Sequence, residues 1–194
     1  MPTLTATDEL TVIAESYADF LERLRHSGEK ERLEHCDGET VLMPPPKISH
    51  EVLLNAFAGE LHRQFDAQTW QVLGSNVGIS IGDGRYFMAD ASVTQKPIEL
   101  VQLFDGTEAL VNPALLVEVL SPGTRSRDTG LKRTKYTAID SLVAYIRLHQ
   151  SDARIDWTER TPDGWAERTA GEGESMTLDE VGLTVAVDGL YGSS

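Results

Sequence analysis

The sequence predicts a mixed α/β (α+β) fold in which helices flank a central mixed β-sheet. Two segments in the first third of the chain repeat apolar residues at helical spacing. A strongly apolar run bounded by prolines lies at 113–122, and short β-prone segments separated by turns fill most of the remainder. A length of 194 residues suits one domain, assigned to 1–194, with residues 1–15 as a flexible or peripheral N-terminal segment.

The first third of the chain predicts a helix, a hairpin and a second helix. Apolar residues at helical spacing indicate the first helix over 16–28. Asp37-Gly38, between two short runs, is a typical two-residue hairpin turn. Ser49 is a suitable N-cap for the second helix, predicted over 49–66.

The rest of the chain is predicted to be mainly β-structure. Residues 70–94 have a β-like pattern, and a loop is expected over 96–112. The apolar run at 113–122 predicts a buried central strand, and a helix follows over 126–140. The last part of the chain predicts further strands at 142–149, 153–160 and 164–170, then short β-prone runs in an acidic tail.

The composition limits the classes of function. With 31 acidic and 17 basic residues the net charge is −14, which argues against a general DNA coat or attachment to anionic lipid by bulk charge. Screening still permits a local basic site. The single cysteine excludes an internal disulfide and a multi-cysteine zinc site. No apolar stretch has the length of a membrane helix and no secretory signal is evident, so we expect a cytoplasmic protein without a membrane partner.

Glu118 is the most informative acidic residue in the sequence. It lies inside the run Ala114–Leu120, which otherwise has the composition of a core strand. An unpaired buried carboxylate is costly, so an acid in this position needs a partner, a metal ion or a functional reason. The alternative is a glutamate on the solvent-facing side of the strand, but alternation places Leu116 and Leu120 on that same side.

Asp90 is a second candidate, whose importance depends on Glu118. Strand alternation places Met88, Asp90 and Ser92 on one face, and this segment alone favours an ordinary solvent-facing acid. Two carboxylates on neighbouring strands can nevertheless hold a hard divalent cation such as Mg²⁺, with a backbone carbonyl and water as further ligands. Such an ion can activate water and neutralise charge that develops on a phosphate.

A basic segment follows the Glu118 strand. Between Ser121 and Tyr136 there are five basic residues and one acid, which gives this segment a net charge of +4. A helix that follows the strand directly can return Lys132 to the strand's C-terminal end, where its ammonium could contact water or a phosphate. The alternative is a solvated lysine on an exposed helix face. The five basic residues are Arg125, Arg127, Lys132, Arg133 and Lys135.

Four segments carry a recognisable pattern: LEHCDGETVLMPPPKISHE, ADASVTQKP, NPALLVEVLSPGTRSRD and TGLKRTKYTAIDSLVAYIRL. They resemble the Uma-type group of bacterial restriction endonuclease-like proteins, whose fold belongs to the PD-(D/E)XK nuclease superfamily. The resemblance extends from about residue 16 to residue 191. It implies a restriction endonuclease-like core and a Mg²⁺-dependent endonuclease acting on DNA, in which Mn²⁺ can substitute.

The resemblance also implies roles for individual residues. Asp90 and Glu118 match the two metal-binding acids, and the Val119 backbone carbonyl would be a further metal ligand. The superfamily's catalytic lysine normally lies two residues after the second acid, where this chain has Leu120. In this family the lysine lies on the following helix, which matches Lys132.

Other residues would surround this site. Glu39 matches an acid of the family's opening hairpin, and His50 matches a histidine at the start of the next helix. Together with Lys135, they are candidates for the rim of the site. Lys135 is also a rival for the catalytic lysine. The other basic residues of the segment would contact the nucleic-acid backbone without reading its sequence: Arg125, Arg127 and Arg133.

Two functions without hydrolysis stay open. One is an inactive nuclease-fold module that binds DNA or protein irrespective of Mg²⁺. The other is a homodimeric interaction protein whose acidic tail, residues 150–194 with ten acids and three bases, recruits a partner. The endonuclease interpretation predicts weak, salt-sensitive DNA binding and, as for many nucleases of the superfamily, a homodimer.

Overall fold

The computed structural model describes residues 10–28, 31–75, 77–121 and 125–192. Its strands form two large mixed sheets and one small sheet, accompanied by few helices. The predicted mixed α/β class is therefore confirmed, with the strands divided between two large sheets. None of the helices in these ranges is long and apolar enough to span a membrane.

The first large sheet has seven strands: β1 (Thr11–Ala14), β2 (Arg32–Cys36), β3 (Glu39–Met43), β5 (Gly78–Gly82), β6 (Arg85–Met88), β8 (Leu100–Phe104) and β9 (Thr107–Leu110). Their order is β1-β3-β2-β6-β5-β9-β8, and among neighbours only β5 and β9 are parallel. The predicted hairpin at Asp37-Gly38 joins β2 to β3, with positive φ at both turn residues. Helix α1 (Tyr17–His26) packs on this sheet through Phe20.

The second large sheet has six strands: β4 (Trp70–Leu73), β7 (Ala91–Gln95), β10 (Pro113–Leu120), β11 (Ala144–His149), β12 (Ile155–Thr161) and β13 (Gly164–Ala170). Their order is β13-β12-β11-β10-β7-β4, with only β10 and β11 parallel. All eight residues of β10 are buried, as predicted for a central strand. Helix α2 (Ile48–Gln64) covers one face of the sheet, together with β14 (Ser175–Leu178), β15 (Leu183–Ala186) and α5 (Val187–Tyr191).

The chain passes from one large sheet to the other between β6 and β7. Strand β6 ends at Met88 in the first sheet, and β7 begins at Ala91 in the second. An apolar cluster between the sheets joins Ile79 and Phe87 of the first to Leu116 of the second. Residues 89–90 therefore lie where the two sheets meet, and this position decides the surroundings of Asp90.

Three details of the predicted elements differ from the structure. The loop predicted over 96–112 contains the β8–β9 hairpin, because a turn at Gly106, with φ +79°, reverses two short β-prone runs. Helix α2 begins at Ile48 with Lys47 as its N-cap, and the Ser49 hydroxyl instead donates a hydrogen bond to Gln150 at 3.3 Å. Of the predicted N-terminal segment, residues 11–14 form the edge strand β1, whereas 1–9 lie outside the described residues.

The helix predicted over 126–140 is shorter and irregular. It consists of α3 (Arg125–Arg127), a π-helical turn (Asp128–Lys132) and α4 (Arg133–Tyr136). Asp128 and Lys132 of the π-helical turn and Tyr136 of α4 are buried. Each lies four residues after the one before, so they share one side of the segment.

Two glycine-to-alanine substitutions are expected to change the free energy of unfolding in opposite directions. A Cβ at Gly78 would lie 2.2 Å from the ring of Tyr86, which packs against Phe20, so Gly78→Ala should cost about 1–3 kcal/mol. Gly59 is exposed within α2, with no atom within 4 Å of an added Cβ. Gly59→Ala should therefore stabilise by about 0.5–1 kcal/mol. Urea unfolding gives the free energy of unfolding of both variants. A neutral or stabilising effect of Gly78→Ala would contradict the close packing of Gly78 against Tyr86.

Candidate active site

A pocket of about 70 Å³ opens where the two large sheets meet the start of α2. Strand β2, Asp90 between β6 and β7, the end of β10 and the π-helical turn all contribute to its wall. We call it the acid pocket. The described residues that line it are Arg32, Met43, Pro44, Pro45, Pro46, Lys47, His50, Asp90, Glu118, Val119, Ser121, Asp128 and Gln150.

Asp90 is a buried carboxylate held by three donors. His50 Nε2 lies 3.0 Å from Oδ2, Arg32 donates to Oδ1 at 3.1 Å, and the Val119 N–H donates to Oδ2 at 2.9 Å. Burial alone would raise the pKa of Asp90, but the hydrogen bond and charge of His50, the charge of Arg32 and the Val119 N–H hold it below its usual range. Asp90 is therefore ionised.

Glu118 has the opposite pKa shift. Its Oε1 accepts a hydrogen bond from Lys132 at 2.8 Å and from the Tyr136 hydroxyl at 3.4 Å. Burial raises the pKa of Glu118, Lys132 opposes this effect, and the neighbouring acid Asp90 adds to it, so the pKa lies above its ordinary value. Two carboxyl groups with opposed pKa shifts that line one pocket are typical of a functional site.

Lys132 is completely buried among acids. Its Nζ lies 2.7 Å from Glu34 Oε1, 2.8 Å from Glu118 Oε1 and 3.5 Å from Asp128 Oδ1. Burial would lower the pKa of Lys132, but Glu118, Glu34 and Asp128 raise it well above its ordinary value. The lysine therefore remains charged, and it joins acids from β2, β10 and its own turn.

Glu34 is the main residue of this site that sequence reasoning missed. Besides Lys132, it accepts hydrogen bonds from the Met88 N–H at 3.2 Å and from Arg127 Nε at 3.1 Å. Its only signal is that of an acid in the opening hairpin, which Glu39 shares. Once Glu34 is identified, strand alternation indicates Arg32, two residues before it, as a residue on the same face.

The structure brings together one subset of the predicted site residues. Asp90, Glu118, Val119 and His50 line the acid pocket, and Lys132 contacts Glu118 beside it. The other predicted site residues do not line the acid pocket.

Glu39 is exposed on the β2–β3 hairpin. The four basic residues contact other side chains: Lys135 pairs with Asp37 at 2.6 Å, Arg133 with Glu167 at 2.8 Å and Arg127 with Glu34 at 3.1 Å, while Arg125 lies 2.9 Å from His149.

The acid pocket is not a preformed cage of metal ligands. Within the described ranges, no three or more His, Cys, Asp or Glu side chains are arranged as a group that could hold a metal ion. Side-chain cations of the chain itself compensate the acids instead. Arg32 and His50 contact Asp90, while Lys132 contacts Glu118 and Glu34.

Comparisons with known proteins agree with the fold. An uncharacterized protein from Synechocystis sp., slr1290, is 28% identical over 179 residues, which are 91% of this chain and 90% of that protein. A crystal structure from Anabaena variabilis, described as a "putative nuclease belonging to DUF820", has a TM-score of 0.68 at 14% identity and covers 88% of this chain and 96% of its own. This likeness shows a shared fold, in agreement with the predicted restriction endonuclease-like class.

A family model gives the assignment. The Uma2 model, described as "Putative restriction endonuclease", matches residues 17–188. This range includes both large sheets except the edge strand β1, and all of the residues that line the acid pocket. The chain belongs to the Uma2 family.

Proposed function

We propose that this protein is a metal-dependent endonuclease that hydrolyses phosphodiester bonds in DNA. The observation that carries the proposal is the acid pocket, where Asp90 and Glu118 lie on a common wall and Lys132 contacts Glu118. The description of the family and that of the Anabaena variabilis structure support a nuclease. The homodimer implied by the resemblance to the superfamily and the cytoplasmic location expected from the sequence stay predictions.

Asp90 and Glu118 would hold Mg²⁺ or Mn²⁺, with the Val119 carbonyl as a further ligand. Carboxylate and carbonyl oxygens suit hard cations, and magnesium is usually held by one or two carboxylates together with water and substrate phosphate. A pocket with two such carboxylates fits this mode of binding better than a closed cage of protein ligands. When bound, the ion would polarise the phosphate and lower the pKa of a coordinated water.

Lys132 would act as a charged donor. Glu34 and Glu118 hold its ammonium in place, and their proximity keeps it protonated. A protonated ammonium can orient a water molecule and stabilise negative charge on the pentavalent phosphate, but it cannot accept the proton of the water. Glu34 would be a positioning residue, because it contacts Lys132 and Arg127 rather than the pocket space.

His50 and Arg32 would orient the first carboxylate. Both donate to Asp90, one to each oxygen, and Val119 N–H fixes the same group from the neighbouring strand. Partners of this kind set the orientation and the charge of a metal-binding carboxylate. Asp90 lies outside the regular strands β6 and β7, so these hydrogen bonds fix the orientation of its side chain.

One observation favours a second candidate function, a DNA-binding module without hydrolysis. The three acids Glu34, Asp90 and Glu118 already have cationic partners within the chain. A pocket that is electrostatically compensated in this way does not require a metal for stability. The two candidates differ in whether DNA binding depends on a divalent cation.

Asp90→Asn and Glu118→Gln should each reduce Mg²⁺-dependent cleavage of plasmid DNA at least about 100-fold, because each replaces a carboxyl group proposed to hold the ion by an amide. Asp83→Asn is the matched control, since Asp83 is exposed in the β5–β6 turn and asparagine tolerates its positive φ of 49°. Initial cleavage rates and melting temperatures are measured for all three. Wild-type rates in both site variants would refute the assignment.

Calorimetry with Mn²⁺ separates the two candidate functions. The endonuclease proposal predicts one or two bound ions, weaker binding in Asp90→Asn and Glu118→Gln, and a metal-dependent rise in melting temperature. Asp83→Asn should bind Mn²⁺ as the wild type does. If the wild type binds no Mn²⁺, and its DNA affinity is the same in Mg²⁺ and in EDTA, the binding module is favoured instead.

Lys132→Met should destabilise the fold by about 3–5 kcal/mol, because it leaves Glu34 and Glu118 buried without their cation. Adding Glu118→Gln removes one of these acids, so the double variant should lose less stability than the sum of the two single variants. Lys135→Met is the control, because the pair of Lys135 with the exposed Asp37 is partly open to solvent and contributes about 1 kcal/mol or less. Urea unfolding gives each free energy, and strict additivity would argue against the coupling.

A further inference from the structure

A second pocket adjoins the acid pocket, with a volume of about 340 Å³. The two pockets share Lys47, Ser121 and Gln150. The lining also includes Arg125 and His149, and none of its described residues is acidic. We call it the anion pocket, because cationic and hydrogen-bonding side chains line it, whereas the acidic residues line the adjacent acid pocket.

We propose that the anion pocket binds a backbone phosphate of the nucleic-acid strand whose neighbouring phosphate lies at the acid pocket. The proposal rests on the proposed function for the identity of the strand. Arg125 would contact the phosphate, Lys47 would contribute charge, and His149 would be a positioning residue for Arg125. The subsite would fix where the strand crosses the acid pocket, without reading its bases.

Arg125 differs from the other bases of its segment. Each of the other four lies within ion-pair distance of a carboxylate: Arg127 and Lys132 of Glu34, Arg133 of Glu167, and Lys135 of Asp37. Arg125 instead contacts an imidazole, and no carboxylate in the described part of the chain lies within ion-pair distance of it. Its positive charge is therefore available to a ligand, and it is exposed at the pocket.

A hydrogen-bonded chain orients Arg125. Its Nη2 lies 2.9 Å from His149 Nδ1, and His149 Nε2 lies 2.8 Å from Asp156 Oδ2. A guanidinium can only donate, so Nδ1 must carry a lone pair and the ring proton lies on Nε2, where Asp156 accepts it. His149 itself is buried, which fixes the ring. This arrangement holds one edge of an otherwise flexible guanidinium and leaves its other donors for a ligand.

Asp156 is in turn a fixed acceptor. Arg154 donates to its two oxygens at 2.7 and 2.9 Å, and the Thr169 hydroxyl also donates to it. Burial would raise the pKa of Asp156, but the hydrogen bonds from Arg154, Thr169 and His149 lower it below its ordinary value. The hydrogen-bonded chain from Asp156 through His149 to Arg125 thus begins at an ionised carboxylate.

The chemistry of the lining favours phosphate. The fork of a guanidinium matches two phosphate oxygens, and a lysine adds a point charge. The hydroxyl and amide groups of Ser49 and Gln150 can supply further hydrogen bonds. Since three residues line both pockets, a group bound here would be a near neighbour of a phosphate at Asp90 and Glu118.

Titration with inorganic phosphate in EDTA tests the subsite without metal or cleavage. Backbone amide resonances of residues 149–151 should shift with saturation, and Arg125→Gln should weaken the affinity about tenfold, as expected for loss of one charge-assisted hydrogen bond. Arg63→Gln, which removes the same charge from the far end of α2, should behave as the wild type. Absence of these shifts, or an unchanged affinity in Arg125→Gln, would overturn the subsite.

Two substitutions of His149 test its positioning role. Asparagine retains an acceptor for Arg125, whereas leucine fills the space without one. His149→Asn should therefore keep phosphate affinity within a few-fold of the wild type, and His149→Leu should lose it as Arg125→Gln does. Melting temperatures of both variants show whether they are folded. A folded His149→Leu with wild-type affinity would overturn the positioning role.

Binding of a fluorescent DNA oligonucleotide, measured in Ca²⁺ and in EDTA, tests the source of the phosphate, because Ca²⁺ is a hard cation that the carboxylates of the acid pocket can also bind. Arg125→Gln should raise the Kd about tenfold and reduce the slope of log Kd against log salt by about one. If inorganic phosphate binds but Arg125→Gln leaves DNA affinity unchanged, the pocket serves a free anion and the strand proposal falls. None of these binding measurements depends on cleavage. The nuclease assignment fails on a different result, namely wild-type cleavage rates in both Asp90→Asn and Glu118→Gln, so the two failures can be told apart.

Discussion

The burial of the Lys132 ammonium is the constraint on which the site depends. A buried charge without partners would cost far more than the stability of a typical domain allows, so the fold must bring carboxylates to it. Glu34 comes from the first large sheet, Glu118 from the second, and Asp128 from the π-helical turn that carries the lysine. One side chain therefore links both sheets and the segment that follows β10, and the same contacts place Glu118 beside the acid pocket.

The passage of the chain between the sheets has a similar role for Asp90. Because residues 89–90 belong to neither β6 nor β7, the Asp90 backbone can donate to the Val117 carbonyl at 3.0 Å while its side chain accepts from Val119 N–H. A carboxylate on a regular strand would project from one face of a sheet. At the crossover it projects instead along the end of β10, toward the position that Glu118 also reaches.

The sequence predicted the central strand and singled out Glu118 and Lys132, because an acid within an apolar run and a basic segment after it are local signals. Asp90 had no such signal of its own and became a candidate only together with Glu118. The resemblance to the Uma-type family added the connection between them. Glu34 and Arg32 could not be found in this way, since their roles arise from contacts of β2 with Lys132 and Asp90, which are far away in the sequence and which no local pattern records. The π turn was also missed, because no local pattern of the sequence marks it.

The net charge of a segment does not show how many of its bases are available to bind phosphate. The segment with a net charge of +4 is not a free basic surface, because four of its five bases are committed to carboxylates of other elements. Few cations are then left to bind phosphates, and each phosphate contact contributes about one unit to the salt dependence of binding. In a chain of net charge −14, affinity for nucleic acid must therefore come from a small number of oriented contacts. Arg125, fixed by a neutral ring rather than neutralised by an acid, has the arrangement that such a contact requires.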